Sequence, residues 1–302
     1  MANQGVTILI TTKNRIKDLK ITLEMLQPIL SEAGVFCCIC DDGSTDGTYE
    51  LVKNEFPEIA IFKNEKSKGY LWSRNKLLQN VQTPYAISLD DDAHFLTDNP
   101  ISKIIETFEA NPECGLIAFR IFWGLKPPQN LQTNEKNERV RGFVGCGHAW
   151  RMSAWNDIPD YPEWFLFYGE EEFASYHLFK KSWKVIYAPE VFIQHRVNLQ
   201  NRKKNKDYIE RTRNSLSSGW YLYFLFLPWK IIPYKFAYSI WMQWKRKIFK
   251  GDLNAAKALL LAKRDLLRNI KNIKKERQAL SISEYDQFSQ LPLTKIYWNP
   301  SK

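Results

Sequence analysis

The chain has 302 residues, 44% of them hydrophobic, and a formal net charge of +10. This length allows one large domain or one domain with an appendage, and the composition supplies a sizeable core. The charge is uneven: residues 1–199 carry 21 Lys/Arg and 26 Asp/Glu, whereas residues 200–302 carry 22 and 7. An acidic body and a strongly basic tail predict two different functions for the two regions.

Cysteine usage and the N-terminus bear on the compartment. The five cysteines are odd in number, and three of them fall within the stretch "VFCCIC". This pattern argues against a disulfide framework or a zinc site and indicates free thiols in a reducing cytosol. The opening "MANQGVTILITT" has no basic leader and no long apolar segment, so we predict no signal peptide.

Apolar β-rich runs alternate with helical patterns through the first 122 residues. We predict strands at 6–12, 35–40, 59–65, 85–92 and 114–122, and helices at 13–30, 48–56, 73–81 and 101–112. Such alternation predicts βαβ units, and therefore an α/β fold with a mostly parallel sheet flanked by helices. Residues 124–141 are polar and contain Pro-Pro, which is typical of a surface loop.

Polar side chains gather where predicted strands end. Those that follow the first, second and fourth strands are Thr11, Thr12, Asn14 and Arg15, then Asp41 and Asp42, then Asp90, Asp91 and Asp92. In open α/β sheets, ligands bind outside the carboxyl ends of the strands. Neither Gly-x-Gly-x-x-Gly nor a Walker pattern is present, so neither a dinucleotide fingerprint nor a P-loop is supported.

The triplet Asp90–Asp92 closes an apolar run, "ISLDDDAH". In an extended chain, Asp90 and Asp92 point to the same side and Asp91 points away. Two convergent carboxylates suit a hard divalent cation, Mg²⁺ or Mn²⁺. A solvated acidic turn is the alternative.

A second triplet, Glu170–Glu172, opens a predicted helix, where carboxylates also complement the helix dipole. Successive helical side chains diverge by about 100°, so at most one or two can enter the same cleft and one of them is a candidate general base. His195 ends the predicted strand "VFIQH". A histidine there is either structural or a third metal ligand, and imidazole suits Mn²⁺ better than Mg²⁺.

Taken in order, "VTILITTKNR", "CICDDGSTDGT", "KGYLWSRN", "AISLDDDAHF", "GEEEFASYHLFKKSW" and "YAPEVFIQH" resemble the GT-A fold, family 2 glycosyltransferases over residues 5–215. The later "RTRNSL" and its aromatic continuation resemble bacterial members that build cell-surface polysaccharides. The resemblance implies a hexosyl- or deoxyhexosyltransferase that moves a sugar from a nucleotide-sugar to an acceptor hydroxyl with inversion.

The resemblance also implies roles for individual residues. Nucleotide-sugar contacts would come from Thr11, Arg15, Asp41, Asp42, Lys68, Gly69, Arg74, Asp90 and Asp91, with Asp42 accepting a hydrogen bond from the base. Asp92 and His195, with Asp90 as an additional candidate, would hold Mn²⁺ or Mg²⁺.

For the acceptor side, the resemblance assigns the general base to Glu171, or to Glu170 or Glu172 if the register shifts by one. The family usually has Asp at this position, and Glu is one methylene longer. The segment "GFVGCGHAW" resembles an acceptor-side loop and marks Gly145, Cys146 and His148.

The tail contains an aromatic stretch at 215–250 and a basic amphipathic helix predicted at 251–280. In that helix, Leu253, Ala256, Leu260, Leu267 and Ile270 share a face. Prolines and lysines interrupt the aromatic stretch, so we expect it to lie on an anionic membrane surface rather than span it. A helical subdomain packed on the body and a homo-oligomer contact are the alternatives. We therefore predict a catalytic domain at 1–215 and a membrane-associating region at 216–302.

Together these patterns predict a cytoplasmic enzyme, peripheral on the inner face of the cell membrane, that uses a UDP- or dTDP-sugar and a glycan or lipid-linked acceptor. A nucleotidyltransferase is the first alternative, but "TTKNRIKDL" lacks the glycine of its phosphate loop. A nucleic-acid-binding protein is the second; no nucleic-acid motif accompanies the basic tail, and we expect no nucleic-acid partner.

Overall fold

The computed structural model describes residues 5–197 and 207–295 and divides them into two compact units. Unit 1 contains residues 5–161, 177–197 and 292–295, and unit 2 contains residues 162–176 and 207–291. The boundary predicted at residue 215 falls inside a helix that begins at Tyr208, because its helical pattern starts before the aromatic stretch.

Unit 1 carries all the strands of the described chain. They are β1 (Val6–Thr12), β2 (Val35–Asp41), β3 (Ala60–Lys63), β4 (Tyr85–Asp90), β5 (Ala93–Phe95), β6 (Cys114–Trp123), β7 (Glu138–Val140), β8 (Gly147–Arg151) and β9 (Lys184–His195). The helices between them are α1 (Ile16–Leu30), α2 (Thr48–Glu55), α3 (Tyr70–Leu78), α4 (Pro100–Ala110) and α5 (Met152–Asn156).

Within the described residues, the strands form one nine-stranded sheet in the order β3-β2-β1-β4-β8-β6-β9-β5, with β7 paired to β9. The run from β3 to β4 is parallel, as predicted. β8 enters antiparallel to both β4 and β6, and β5 and β7 are antiparallel to β9. The α/β prediction is confirmed, and the second half of the sheet is mixed.

Burial of apolar side chains in the core accounts for the positions of these strands and helices. Every residue of β1 is buried, and Leu19, Leu23 and Leu26 of α1 pack into the same cluster at helical spacing. The predicted strand "VFIQH" is the end of a longer strand, β9, whose pairing with β6 shifts register around Pro189. A shift of this kind accommodates a residue that has no N–H to donate.

Unit 2 is helical in its described part. α6 (Glu170–Lys180) begins in it, and α7 (Tyr208–Phe226), α8 (Ile232–Arg246), α9 (Leu253–Arg268), α10 (Ile270–Glu276) and α11 (Ile282–Gln290) follow the sheet. α7, α8 and α9 share a core that includes Leu216, Trp220, Leu259 and Ala262. None of the helices in residues 5–197 and 207–295 is both long and apolar enough to cross a bilayer.

Candidate active site

Parallel pairing brings the predicted residues to one edge of the sheet. Thr11 lies opposite Asp90 of β4, and Thr12 lies opposite Asp41 of β2. Thr11 is buried, and its hydroxyl has no hydrogen-bond partner among the described residues. The carboxyl ends of β1, β2 and β4 therefore form one polar surface, as the sequence predicts.

Asp90, Asp92 and His195 form a group that can hold a metal ion, since their ligand atoms all lie within 4.8 Å of one another. Nε2 of His195 lies 2.9 Å from Oδ1 of Asp92 and 3.9 Å from Oδ2 of Asp90. Neighbouring ligands of an octahedral Mg²⁺ lie about 3 Å apart, because each sits about 2.1 Å from the ion. Two carboxylates and one imidazole also suit Mn²⁺. The three residues thus fit one face of a divalent cation.

A turn creates this convergence. β4 ends at Asp90, Asp91 and Asp92 form a turn, and the next residue, Ala93, pairs with His195 across β5 and β9. The prediction that Asp90 and Asp92 point to one side holds, but the extended chain from which it was derived does not continue past Asp90.

Two arginines hold the other oxygens of these carboxylates. Arg15 donates from Nη2 to Oδ2 of Asp92 at 2.6 Å, which leaves Oδ1 facing His195. Arg74 donates from Nη2 to Oδ1 of Asp90 at 2.7 Å, which leaves Oδ2 facing His195. Each carboxylate therefore keeps one oxygen on the arginine side and presents the other at the metal position.

The pairing of His195 with Asp92 alters the acidity of both groups. Burial lowers the pKa of His195, but the hydrogen bond to Asp92 and the neighbouring Cys146 outweigh burial and raise that pKa to about 11. Burial raises the pKa of Asp92, but His195 and Arg15 hold it below its usual value. Because metals bind neutral imidazole, a proton and a cation compete for Nε2 of His195.

Asp91 points elsewhere. Its side chain accepts a hydrogen bond from Thr12 at 2.8 Å and pairs with Arg15 at 3.0 Å, and its carbonyl accepts from Thr22. Burial raises the pKa of Asp91 to about 7, although the charge of Arg15 opposes this. Asp91 anchors the turn to β1 and α1, and its predicted contact with the nucleotide-sugar remains a prediction.

Asp42 fastens the segment between β3 and α3. Oδ1 accepts from the Asn64 amide at 2.9 Å and from the Lys68 N–H at 2.8 Å, and Oδ2 accepts from the Ser67 hydroxyl at 2.5 Å and from the Gly69 N–H at 3.0 Å. Burial raises the pKa of Asp42, but these bonds hold it below its usual value. A carboxylate has about four acceptor positions, so all of them are taken.

Asp41 differs from Asp42 in this respect. Its Oδ1 accepts from the Ser44 N–H at 2.8 Å, whereas its Oδ2 is buried with no hydrogen-bond partner among the described residues. A buried carboxylate oxygen without a donor is costly, and it is a natural place for a ligand N–H. Of the two aspartates, Asp41 rather than Asp42 has a carboxylate oxygen without a hydrogen bond among the described residues.

The segment "KGYLWSRN" lies along the same edge. Gly69 has φ 103°, a value that L side chains rarely adopt, and its N–H faces Asp42. The ammonium of Lys68 lies 4.0 Å from the centre of the Trp72 ring. Arg74 is buried and donates to the carbonyl of Gly145 as well as to Asp90.

The predicted acceptor-side residues take different positions. The Cys146 carbonyl accepts from the Asp90 N–H at 3.1 Å, which ties this segment to the metal group. His148 lies in β8 and is fully buried against Phe143, so burial lowers its pKa well below the usual value. A neutral, enclosed imidazole of this kind is typical of the core.

The glutamate triplet begins α6 in unit 2. Glu170 is buried, Glu171 is partly buried and Glu172 is exposed, as expected when neighbouring helical side chains diverge. The preceding loop contains Leu166 and Tyr168 with positive φ. Conformations of this kind in non-glycine residues store strain and cluster at functional sites.

Sequence reasoning missed Arg196. Its guanidinium lies 2.6 Å from Nδ1 of His94 and donates to Thr22 at 2.6 Å, and its N–H donates to the Asp92 carbonyl. Burial and the charge of Arg196 lower the pKa of His94 to about 4. Arg196 thereby holds α1, β5 and the metal-binding turn together. The only signal in the sequence is an arginine directly after His195.

A family model described as "Glycosyl transferase family 2" matches residues 7–162, just over half of the chain. The matched range covers Asp41, Asp42 and the Asp90–Asp92 triplet. It ends before the glutamate triplet and His195.

Among curated proteins, the chain is 35% identical over 81 residues to a processive diacylglycerol beta-glycosyltransferase of Mycoplasma pneumoniae. This match covers 25% of the chain and 24% of that relative, so the chain spans about a quarter of the relative's length.

Solved structures share the fold. GalNAc-T7 with UDP, GalNAc and Mn²⁺ aligns with a TM-score of 0.55 and 15% identity over 72% of this chain and 50% of that one. The mannosyltransferase PcManGT of Pyrobaculum calidifontis, in complex with GDP-Man and Mn²⁺, aligns with a TM-score of 0.52 and 17% identity. This alignment covers 94% of this chain and 78% of that one. S. aureus TarS aligns with a TM-score of 0.51 and 16% identity over 69% of this chain and 38% of that one. At these identities the likeness shows the GT-A fold and confirms the fold prediction.

Proposed function

The chain belongs to glycosyl transferase family 2, and from this we propose that it transfers a sugar from a nucleotide-sugar to an acceptor hydroxyl with a divalent metal and inversion of configuration. The observation that carries the proposal is the convergence of Asp90, Asp92 and His195 at the carboxyl edge of the sheet. The fold neighbours with Mn²⁺ and a nucleotide or nucleotide-sugar support the same reading.

Asp92 and His195, together with Asp90, would hold Mn²⁺ or Mg²⁺. When bound, the metal supplies positive charge to the diphosphate leaving group, where charge develops as the glycosidic bond breaks. Arg15 and Arg74 hold the carboxylates in their ligating orientation and balance their charge.

The donor base would contact the edge formed by β2 and β3. Asp41 is the better acceptor for an N–H of the base, because the acceptor positions of Asp42 are already used. Asp42 instead fixes Lys68 and Gly69, which line the same pocket in this proposal. A carboxylate that accepts a hydrogen bond from a base N–H suits UDP or dTDP, and GDP is the remaining alternative.

Glu171 would act as the general base, removing the proton from the acceptor hydroxyl as it attacks the anomeric carbon. Its intermediate exposure supports this choice over the buried Glu170 and the exposed Glu172. A single displacement needs no covalent nucleophile and gives inversion. Gly145 and Cys146 would lie on the acceptor side.

We further propose a glycan or lipid-linked acceptor, a role in cell-surface polysaccharide synthesis, and peripheral association with the cytoplasmic face of the membrane. Support comes from the +15 net charge of residues 200–302 and from exposed aromatic rings in unit 2.

Calorimetric titration of the full chain with UDP, dTDP and GDP, each with and without Mn²⁺, tests this function. We expect UDP or dTDP to bind only with Mn²⁺, and the matching nucleotide-sugars to be hydrolysed slowly without an acceptor. If no nucleotide diphosphate binds in Mn²⁺, the donor site is wrong.

A further inference from the structure

We propose that the outward face of α8 and the short 3-10 turn after it, Ile248–Lys250, docks on an anionic lipid surface. This inference assigns the proposed membrane association to a specific surface of the chain. Only its consequence for the acceptor depends on the proposed sugar transfer.

The first observation is a cluster of exposed aromatic rings. They are Trp229, Tyr234, Tyr238, Trp241, Trp244 and Phe249, each between 42% and 71% exposed. Tyr234 and Tyr238 stack at 6.3 Å between centroids, and Phe249 contacts Trp241 at 6.1 Å and Trp244 at 5.6 Å. We call this set the aromatic row. Large exposed apolar patches mark interaction sites, and Trp and Tyr favour the boundary between water and lipid.

The opposite side of α8 is already used. Phe236 and Ile240 pack into the core that α8 shares with α7 and α9. The ring of Trp220 lies 4.9 Å from that of Phe236, and its indole N–H donates to Ser239. No ring of the aromatic row belongs to this core, although Trp229 packs against the guanidinium of Arg277 at 4.0 Å.

The charge of this surface indicates which kind of partner it binds. Residues 229–250 contain Lys230, Lys235, Lys245, Arg246, Lys247 and Lys250 and no Asp or Glu. A second copy of the chain would bring like charges together on this face, which opposes association. An anionic bilayer attracts every one of them, by about fivefold in binding per basic residue near the surface.

The next helix distinguishes lipid from nucleic acid. α9 exposes Leu253, Leu260 and Leu267 at a spacing of seven residues, with Lys257 and Lys263 between them. Bases stack on aromatic rings, but aliphatic side chains offer them no such face. Aliphatic and aromatic side chains interleaved with lysine match the boundary between lipid headgroups and acyl chains.

Docking of unit 2 would carry the proposed base with it. Residues 162–176, which include Glu171, belong to the same unit as α8. The Trp164 indole donates to Glu276 of α10 at 2.9 Å, and its ring lies 4.8 Å from that of Tyr221 in α7. Docking would therefore keep the proposed base in the unit that binds the membrane, where a lipid-anchored acceptor resides.

Co-sedimentation of the full chain with vesicles tests the surface. We compare phosphatidylcholine vesicles with mixed phosphatidylcholine–phosphatidylglycerol vesicles, at 0.1 M and 1 M NaCl, where the Debye length falls from about 10 Å to about 3 Å. The variant Tyr238→Ser/Trp241→Ser/Trp244→Ser should lower the partition coefficient on anionic vesicles roughly 100-fold, because three large apolar side chains lose their burial. The control Phe36→Ser removes a 56% exposed ring from unit 1 and should change nothing.

Wild-type binding that prefers anionic vesicles and weakens in 1 M NaCl supports the inference. Equal binding of the triple variant and the wild type, while both retain the same melting temperature, would overturn it. Tighter binding of single-stranded RNA than of anionic vesicles at 0.1 M NaCl would overturn it too and assign the face to nucleic acid. Nucleotide binding in Mn²⁺, measured on the same preparations, separates a failure of this surface from a failure of the donor site.

Discussion

Three adjacent carboxylates occur twice in this chain, at Asp90–Asp92 and at Glu170–Glu172, and the two triplets are held differently. A turn at the end of a strand aims Asp90 and Asp92 at one imidazole and sends Asp91 towards β1 and α1. The glutamates start a helix, which spreads them from buried to exposed. Backbone geometry, more than residue type, therefore decides which neighbouring anions can share a site.

The two triplets also differ in charge balance. Two arginines and a histidine surround the aspartates, and the charge of His195 helps to keep Asp92 ionised. The glutamates lie in the first turn of α6, where the helix dipole favours them. In the first arrangement, a bound cation would take the place of the His195 proton. The second suits one carboxylate that accepts a proton.

The largest effect should come from Asp92→Asn. The substitution keeps the shape of the side chain but removes the charge that a metal requires, so we expect turnover to fall by roughly 10³-fold, equivalent to about 4 kcal/mol. Mn²⁺-dependent nucleotide binding, measured by calorimetry, should be lost as well. Asp98→Asn is the control, because Asp98 is exposed six residues further on. Full activity of Asp92→Asn, or of the wild type in EDTA, would contradict a metal site in this triplet.

Glu171→Gln should have the next largest effect and should spare donor binding. Loss of a general base typically costs 10²- to 10⁴-fold in turnover, so we expect about 10²-fold or more with an unchanged nucleotide affinity. Glu172→Gln is the matched control, one residue along the same helix and exposed. If Glu170→Gln or Glu172→Gln lowers turnover and Glu171→Gln does not, the base is assigned to the wrong glutamate.

The third prediction concerns Asp91 and appears in stability rather than in turnover. Its pKa is about 7 in the folded protein, against an ordinary value of 3.8, so between these pH values the folded state holds a proton that the unfolded chain releases. The contribution of Asp91 to stability is therefore complete below about pH 4 and is lost as pH rises to about 7. Relative to Asp91→Asn, the wild type should lose on the order of 2–4 kcal/mol across this range.

Urea denaturation of both proteins at pH 5 and pH 7.5 measures that difference. Comparing wild type with Asp91→Asn cancels the titration of His195 and other groups that both proteins share. Equal pH dependence in the two proteins would show that Asp91 is ionised throughout and belongs with its neighbours at the metal position.

Local sequence pattern determined the elements and their order. The alternation of buried runs with helical spacing placed β1, α1, β2, β4 and β6 nearly where they are, because these periodicities depend on neighbours within one or two turns. The polar residues that end β1, β2 and β4 followed from the same pattern, since parallel strands share one carboxyl edge. Asp92, His195 and the glutamate triplet were candidates from residue type and position, and the family motifs assigned the general base to Glu171 within the triplet.

Only the tertiary structure decided how those candidates are used. His195 meets Asp92 across more than a hundred residues of chain, and Arg15 and Arg74 find their carboxylates over distances that no local pattern records. The full set of hydrogen bonds on Asp42 and the unpaired, buried oxygen of Asp41 likewise depend on where the segment before α3 folds back.

The aromatic tail shows the same division. The sequence predicts that the aromatic stretch at 215–250 lies on a membrane. In the structure, Trp220, Tyr221 and Phe226 are buried in unit 2, whereas Tyr234 and Trp241 are exposed. The buried and the exposed parts of this stretch are both rich in aromatic residues. Burial depends on which face of each helix packs on its neighbours, and that is fixed by contacts between distant helices rather than by the residues themselves.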